Sequence, residues 1–300
     1  MKLSTRRRLL AVAAVTKRFS GLKGIDRLTR WVHSPDRPPG SGIDGIVSYG
    51  RHSLFYIDTS NYIEWCVFFT GHYSQPISAL IPLLLRPGMV AVDIGANNGT
   101  ETILMAEAVG KNGRVIAVEP WAPARERLAR NLELNRYAQV SVVDRCIGAR
   151  TGETAFLIAS TTNNPTASTQ VGPRPAETAT TTIVEALPLT TVDELLSSSD
   201  CRDVDLIKVD TDGTEIDVLM GAVDTLNRSR PAVIFEFDAA GYQAHGNTWE
   251  QAYRLMSGLG YGLFGIVPRR HMFDLAPLTV ETPSVTDVLA VHGATAGGSR

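Results

Sequence analysis

Residues 89–100 constrain the fold of this chain more than any other stretch. Their sequence is Met-Val-Ala-Val-Asp-Ile-Gly-Ala-Asn-Asn-Gly-Thr. The apolar residues around Asp93 predict a strand buried on both faces, as in a parallel sheet. Gly95 and Gly99 permit backbone angles that a side chain obstructs, and an apolar helical pattern follows at 100–109. Strand, glycine turn and helix together predict a nucleotide-type binding crevice, in which the ligand faces the free N–H groups of the helix.

The same alternation of strand and helix recurs along the chain. Further strands are predicted at 114–119, 140–143, 204–209 and 232–237. Helices are predicted at 125–135, 191–197, 214–226 and 249–258. This order predicts an α/β fold with a doubly wound, Rossmann-like parallel sheet. The last strand candidates, 261–267 and 285–291, are joined by a proline-containing loop and predict a C-terminal antiparallel hairpin.

The chain divides by composition into two leading segments and a main domain. Residues 1–42 form a basic helical segment and a Pro- and Gly-rich linker, and residues 89–300 form the main domain. Residues 43–88 lie between them as a β-hairpin and a helix at 77–85, with alternating stretches at 46–49, 54–57 and 64–69. Residues 160–180, rich in Thr, Asn, Pro and Ala, predict a long loop that is either a lid or a surface connection.

Composition excludes several classes of partner. Lys and Arg number 29 against 31 for Asp and Glu, so no basic field indicates a nucleic-acid partner. The three cysteines are scattered and form no CxxC pair, which predicts reduced thiols in a cytoplasmic protein without a zinc site. No apolar run reaches the ~18 residues of a membrane span. No spacing of acidic residues demands a metal, and nothing indicates an oligomeric state.

The N-terminus combines basic and apolar residues. Four basic residues at 2–8 precede the apolar run 9–15, and Lys17 and Arg18 follow it. Three interpretations stay open: a basic surface helix, peripheral contact of residues 1–20 with the inner face of a membrane, and a signal peptide. The absence of a cleavage site before Lys17 weighs against the signal peptide.

Acidic residues stand at the carboxyl ends of five successive predicted strands. They are Asp93, Glu119, Asp144, Asp210 and Asp238. Ligands of open α/β sheets bind at this edge, and the set suits a ligand with a ribose, an adenine and a cationic centre.

Each position suggests a contact with such a ligand. Glu119 is placed to accept from both ribose hydroxyls, and Asp144 from the adenine amino group. Asp93 is placed to orient the turn or the ligand's amino group. The backbone of the turn, which comprises Gly95, Ala96, Asn97 and Gly99, approaches the amino-acid portion.

Six motifs in order give the chain a family resemblance. They are Asp93-Ile-Gly-Ala-Asn-Asn-Gly99, Val118-Glu-Pro120, Asn131-Leu-Glu-Leu-Asn135, Thr191-Val-Asp-Glu-Leu195, Ile207-Lys-Val-Asp-Thr-Asp-Gly213 with Glu215, and Phe235-Glu236. Over roughly residues 45–265 the chain resembles the FkbM family of S-adenosylmethionine-dependent methyltransferases. The resemblance implies a seven-stranded methyltransferase fold, S-adenosylmethionine as cofactor, and methyl transfer to a hydroxyl of a sugar, glycolipid or secondary metabolite. Thr211-Asp212 departs from the family, which more often has an apolar residue and then Glu.

A base within hydrogen-bond reach would help an alcohol to act as nucleophile. The candidates are Asp210, Asp212, Glu236, Asp238 and His245, at or just past the ends of two predicted strands. His72 lies in another loop that could close over the site. Glu236 lies in an apolar strand, where a carboxylate must be paired, and Lys208 is a candidate partner. Two other functions stay open: a dinucleotide-dependent oxidoreductase, and a catalytically inactive, membrane-associated binding protein of the same fold.

Overall fold

The computed structural model describes residues 3–18, 25–34, 42–161, 164–170, 181–199, 201, 203–269, 272–281 and 283–294. The helices are α1 (Leu3–Arg18), α2 (Ile25–Val32), α3 (Tyr62–Thr70), α4 (Gln75–Leu84), α5 (Thr100–Val109), α6 (Ala122–Asn135), α7 (Val192–Ser197), α8 (Glu215–Met220), α9 (Val223–Ser229), α10 (Ala239–Ala244) and α11 (Trp249–Gly258). The strands are β1 (Asp44–Tyr49), β2 (Ser53–Asp58), β3 (Val90–Ile94), β4 (Arg114–Val118), β5 (Val140–Val143), β6 (Cys146–Ile147), β7 (Gly152–Thr161), β8 (Asn164–Gln170), β9 (Thr181–Thr190), β10 (Leu206–Val209), β11 (Ala232–Glu236), β12 (Tyr261–Pro268), β13 (Phe273–Pro277) and β14 (Asp287–His292).

The main sheet has eight strands in the order β13-β12-β14-β11-β10-β3-β4-β5. From β11 to β5 all neighbours are parallel, and the four residues of β10 are all buried, as a sheet covered on both faces requires. This confirms the predicted doubly wound α/β fold. After β3 the chain adds β4 and β5 on one side of this strand. It then crosses to the other side of β3 and adds β10 and β11 there. The carboxyl ends of β3 and β10 therefore flank a topological switch point, where such sheets bind ligands.

The predicted C-terminal antiparallel pair is present, with one additional strand. β12 pairs antiparallel with β14, and β14 enters the sheet between β11 and β12. The proline-containing connection between them contributes β13, which pairs with β12 at the sheet edge. The resemblance implied seven strands, and β13 is the eighth.

Residues 43–88, the lead-in segment, contain the predicted hairpin, which is formed by β1 and β2. The third of the alternating sequence stretches forms a helix instead. Residues 64–69 belong to α3, in which Asn61 caps the first turn through a hydrogen bond from the Glu64 amide at 3.2 Å. Seven consecutive α3 residues are buried. A helix that is buried all round carries no amphipathic period, so the alternation at 64–69 did not indicate its structure.

Two N-terminal helices pack on α3. Thr16 of α1 donates a 2.6 Å hydrogen bond to the Phe69 carbonyl, and the Trp65 indole donates one of 2.7 Å to the carbonyl of His33, just after α2. The predicted linker lies mostly outside the described residues. Within the residues that are described, no helix has both the length and the apolar character to cross a membrane.

A second sheet, in the order β6-β9-β7-β8, interrupts the alternation. The prediction of a loop throughout 160–180 is wrong for residues 164–170, which form β8 and pair antiparallel with β7. Thr is common in strands as well as in loops, so a Thr-rich composition did not separate the two. Residues 171–180 of the predicted loop lie outside the described residues.

The helix predicted at 214–226 is divided in two. α8 ends at Gly221, where a Cβ atom would lie 2.1 Å from the Gly148 carbonyl oxygen. The close approach of these two backbones breaks the helix. A short helix that was not predicted, α10, follows β11 and is capped by the Asp238 side chain.

Candidate active site

The glycine turn after β3 is held by close backbone contacts. The amides of Gly95 and Ala96 both donate to the Val118 carbonyl at 3.0 Å. Gly95 has φ +79°, and a Cβ atom there would lie 1.7 Å from the carbonyl oxygen of Asp210. Gly99 begins α5 with φ +93°. A side chain at Gly95 would push β10 away from β3, so the glycine is required by the sheet as well as by any ligand.

Glu119 closes the turn from the end of β4. One carboxylate oxygen accepts the Asn97 amide at 2.8 Å, and the other accepts the Trp121 amide at 2.8 Å. The residue is buried, and burial raises the pKa of its carboxyl, while the two amide donors oppose that rise. Each oxygen keeps a second lone pair for a ligand. Its contact with a ribose stays a prediction.

A buried lysine joins the ends of β3 and β10. Lys208 stands beside Asp93 in the parallel register; its Nζ lies 3.6 Å from Oδ1 of Asp93 and 3.1 Å from Oδ2 of Asp210. Burial alone would lower the pKa of Lys208, but the carboxylates outweigh burial and raise it well above the ordinary value. Thr102 donates to the other Asp93 oxygen at 2.5 Å. The ion-pair partners of Lys208 are therefore Asp93 and Asp210, and the suggested pairing with Glu236 is wrong.

A cavity of about 1090 Å³ opens beside Asp210. Its floor is the carboxyl edge of β10 and β11, and α3, α4 and the segment between them form one wall. The acidic residues that line it are Glu101, Asp210, Asp212, Glu236 and Asp287. The aromatic residues that line it are Tyr62, Trp65, His72, Tyr73 and Phe235. Three predicted catalytic candidates, Asp210, Asp212 and Glu236, thus meet in one cavity.

The crowding of carboxyl groups raises their pKa values. Burial, followed by the charges of Asp210 and Glu215, raises the pKa of Glu236 to about 9. Asp212 is exposed at the cavity surface, but many protein atoms lie near its carboxyl group. Their desolvation of the carboxylate, followed by the charges of Asp210 and Glu215, raises its pKa to about 7. Burial and Asp210 raise the pKa of Asp287 to about 6. At neutral pH Glu236 is therefore a neutral acid beside the ion-paired carboxylate of Asp210.

Two predicted residues lie apart from this cavity. His245 caps the C-terminal end of α10 and is absent from the cavity lining; burial lowers its pKa. This placement removes the geometric basis for His245 as the base. Asp144 is exposed just beyond β5 and also lies outside the lining. Its contact with an adenine stays a prediction.

Sequence reasoning missed Glu101 and Asp287 as site residues. Glu101 is in the first turn of α5, which follows the glycine turn, and its buried Oε1 accepts no hydrogen bond from the described residues. Asp287 begins β14, and the first residue of an antiparallel strand lies at the carboxyl edge of its parallel neighbours. The predicted antiparallel strand at 285–291 contains Asp287 near its start, so its position at this edge could have been inferred. The described residues include no group of three or more His, Cys, Asp or Glu arranged to hold a metal.

The site offers acceptors that suit the hydrogen-bond donors of an adenosine ligand with an ammonium group. Beside the turn, Asn98 Oδ1 and Glu101 Oε1 are buried without a hydrogen bond from any described residue. Both atoms are enclosed by protein, so the acceptors that are open to a ligand are the carboxyl groups of Asp210 and Glu236 in the cavity. An α/β fold with acceptors at its switch point defines an enzyme class that binds an adenosine-containing ligand at this edge of the sheet.

The chain matches the family model described as "Methyltransferase FkbM domain" over residues 93–263, more than half of its length. It therefore belongs to the FkbM methyltransferase family, and its cofactor is S-adenosylmethionine. This excludes the dinucleotide-dependent oxidoreductase as an alternative.

Individual relatives are more distant. A protein-L-isoaspartate O-methyltransferase of Methanothrix thermoacetophila is 41% identical over 59 residues, 20% of this chain and 28% of that protein. The solved FkbM methyltransferase of Methylobacillus flagellatus KT is 18% identical with a TM-score of 0.42, covering 72% of this chain and 48% of that one. An S-adenosylmethionine-dependent O-methyltransferase of Thermotoga maritima is 14% identical with a TM-score of 0.39, covering 84% and 78%. The chain spans less than half the length of the first two proteins.

Proposed function

We propose that this chain transfers a methyl group from S-adenosylmethionine to a hydroxyl of a small molecule or glycolipid bound in the cavity. The supporting observation is the position of Asp210. Its backbone packs against Gly95 of the cofactor turn, and its side chain lines the cavity. One residue therefore borders both the cofactor turn and the space for an acceptor.

The residues of the turn would hold the cofactor. Glu119 and the backbone from Gly95 to Gly99 would bind it. When bound, S-adenosylmethionine supplies an electrophilic methyl group on a cationic sulfonium. The carboxylates nearby favour a cation at this edge of the sheet.

Asp210 is the base that the geometry favours. Its carboxylate lies at the end of β10, is 37% exposed toward the cavity, and is held by Lys208 at 3.1 Å. It would accept the hydroxyl proton as the acceptor oxygen attacks. The neutral Glu236 beside it can donate a hydrogen bond to the acceptor, which a second carboxylate could not do.

The acceptor wall favours polyhydroxyl ligands. The cavity is lined by both aromatic and carboxyl side chains, which offer apolar contact for a ring and acceptors for its hydroxyls. A sugar, free or on a lipid, has both features.

The test is transfer of a deuterated methyl group from S-adenosylmethionine to neutral monosaccharides, glycolipids and polyols, read by mass spectrometry. We expect label in an O-methyl group, a loss of at least 100-fold in turnover for Asp210→Asn, and unchanged cofactor affinity. Asp212→Asn is the matched control and should keep most turnover. Label on nitrogen would contradict the proposal, and cofactor binding without transfer to any acceptor would favour the inactive binding protein.

A further inference from the structure

We infer that α1 and α2 form a docking surface for an anionic lipid membrane. This N-terminal surface consists of Leu10, Ala11, Ala14, Val15 and Arg18 of α1 and Trp31 of α2. Leu10 is 48% exposed, Val15 56% and Trp31 85%. Single exposed apolar residues are ordinary, but here several lie on two adjoining helices.

The exposed apolar residues form one face of α1. Leu9, Ala13 and Thr16 are buried against the rest of the molecule. The outward residues at 10, 11, 14 and 15 recur at intervals of one, three and four, so they share the opposite face of the helix. A helix that only covers its own protein has a polar outward face. The outward face of α1 is instead apolar, with Arg18 at its end.

The charge of α1 complements an anionic surface. Its sequence, LSTRRRLLAVAAVTKR, contains five basic residues and no acidic residue. The whole chain, by contrast, has a formal charge of −2. Basic residues beside exposed aliphatic and Trp side chains are typical of helices that lie in a membrane interface. A nucleic acid or an acidic protein would match the charge but leave the apolar face uncovered.

The two helices that carry this surface also contact the cavity wall, through residues outside the surface itself. The Lys17 side chain approaches Gly71, where a Cβ atom would lie 3.8 Å from its Cγ, and the next residue, His72, lines the cavity. The Arg30 guanidinium lies 5.2 Å from the ring centre of Tyr62, another lining residue. The docking itself does not depend on the proposed function.

The test is co-sedimentation of the full chain with two kinds of vesicle, phosphatidylcholine alone and phosphatidylcholine mixed in equal parts with phosphatidylglycerol. We expect at least tenfold tighter binding to the anionic vesicles, weakening as salt is added. Arg18→Gln should weaken binding about fivefold, the equivalent of ~1 kcal/mol per charge near the surface. Leu10→Ser and Trp31→Ser should each weaken it severalfold, also at high salt.

Matched controls lie elsewhere on the surface. Leu83 is 63% exposed in α4, and Lys111 is exposed between α5 and β4. Leu83→Ser and Lys111→Gln should leave vesicle binding unchanged. The affinity for S-adenosylmethionine, measured as a check that each protein is folded, should be the same in every variant. Equal binding to both vesicle types, no binding at all, or equal losses in the control variants would overturn the inference.

Discussion

At the scale of single residues, Lys208 determines the charge pattern of the site. It is buried and lies between two carboxylates on adjacent strands, so it offsets negative charge at the point where β3 and β10 meet. A buried ion pair is weak evidence for stability, because removing charges from water is costly. Removing only one partner is different, since it leaves the other charge buried and unpaired.

Lys208→Met should therefore destabilise the fold by about 3–5 kcal/mol, because the fully buried Asp93 loses its counter-ion. Urea unfolding at neutral pH measures this. Lys111→Met, at an exposed site, should change the free energy of unfolding by less than about 0.5 kcal/mol. Equal stabilities for the two variants would show that Asp93 does not need the lysine.

Glu119 connects cofactor affinity to the glycine turn. Glu119→Gln replaces one acceptor oxygen by a donor that faces a backbone amide, so the turn loses a charged acceptor. We expect S-adenosylmethionine affinity to fall by at least tenfold, since hydrogen bonds to charged groups contribute about 1.5–3 kcal/mol. Calorimetric titration measures it, with the exposed Glu133→Gln of α6 as control. Wild-type affinity in Glu119→Gln would remove this residue from the cofactor site.

The ionisation of Glu236 is expected to produce an alkaline limb in the pH–rate profile, that is, a fall in turnover at high pH. Its carboxyl, whose pKa is about 9, is neutral at pH 7 and becomes charged beside Asp210 at higher pH. We expect turnover to fall above pH 9, and Glu236→Gln, which stays neutral, to lose that fall. A pH–rate profile of both proteins with saturating cofactor tests this. An alkaline limb that persists in Glu236→Gln would assign it to another group.

At the scale of elements, α6 links the lead-in hairpin, β1 and β2, to the glycine turn. The buried Asn131 accepts from the Tyr56 amide of β2 at 2.8 Å and donates to the Asn98 carbonyl at 2.9 Å. Asn135, one turn further along α6, exchanges two hydrogen bonds of 2.7 Å with Leu54 of the same hairpin but does not contact the turn.

These two asparagines form a matched pair for experiment. Asn131→Ala leaves a buried amide and a buried carbonyl unpaired, which should cost about 2–4 kcal/mol and also weaken S-adenosylmethionine binding. Asn135→Ala should cost about 1 kcal/mol and leave cofactor affinity unchanged. Chemical unfolding and calorimetric titration measure the two effects. Equal cofactor affinities in both variants would show that the turn is independent of the hairpin.

The sequence predicts an element well where one physical signal determines it. The strands of the parallel sheet are buried on both faces and stand out as short apolar runs between glycine turns and helices, so β3, β4, β5, β10 and β11 were predicted within two residues. α3, β8 and β13 were missed for different reasons. α3 is buried all round and lacks a helical period, and β8 and β13 lie in proline-containing stretches that were predicted as loops.

The site follows the same logic. Asp210, Asp212 and Glu236 were predicted to come together because parallel strands end at one edge of the sheet. His245 follows its strand in sequence, but α10 intervenes and carries it to the far end of that helix. The wall formed by α3, α4 and the segment between them was not predicted, apart from the place of His72 in a loop near the site. Its approach to the sheet edge is a matter of tertiary packing and not of local pattern.

At the scale of the whole molecule, the cavity makes stability depend on pH. The folded pKa values of Asp212, Glu215 and Glu236 are about 7, 7 and 9, all above their ordinary values. Groups whose pKa is raised by folding stabilise the protein below their unfolded pKa, and this stabilisation is lost as pH rises through the folded pKa. These three carboxyl groups therefore bind more protons in the native state than in the unfolded state between about pH 4 and pH 9.

We expect the free energy of unfolding to decrease from about pH 7 to about pH 9. Below this range His72, whose pKa burial lowers to about 4, opposes the decrease. Glu236→Gln should flatten the upper part of this decrease and raise stability near pH 9 by about 1–2 kcal/mol, since one pKa unit corresponds to ~1.4 kcal/mol and only part of the shift survives solvent screening. Urea titrations at several pH values measure both. Stability that is constant or increases over this range would contradict the assignment of raised pKa values.

The insertion of β14 between β11 and β12 has a consequence for synthesis. Asp287 and Thr286, which line the cavity, belong to the last stretch of the sheet to leave the ribosome. Until that stretch emerges, β11 and β12 have exposed edges where a strand must later enter, and such edges pair readily with other chains. The residues of the glycine turn and Glu119 are translated much earlier. A nascent chain can thus form its cofactor turn well before its cavity is closed, and early binding of S-adenosylmethionine would stabilise it during that interval.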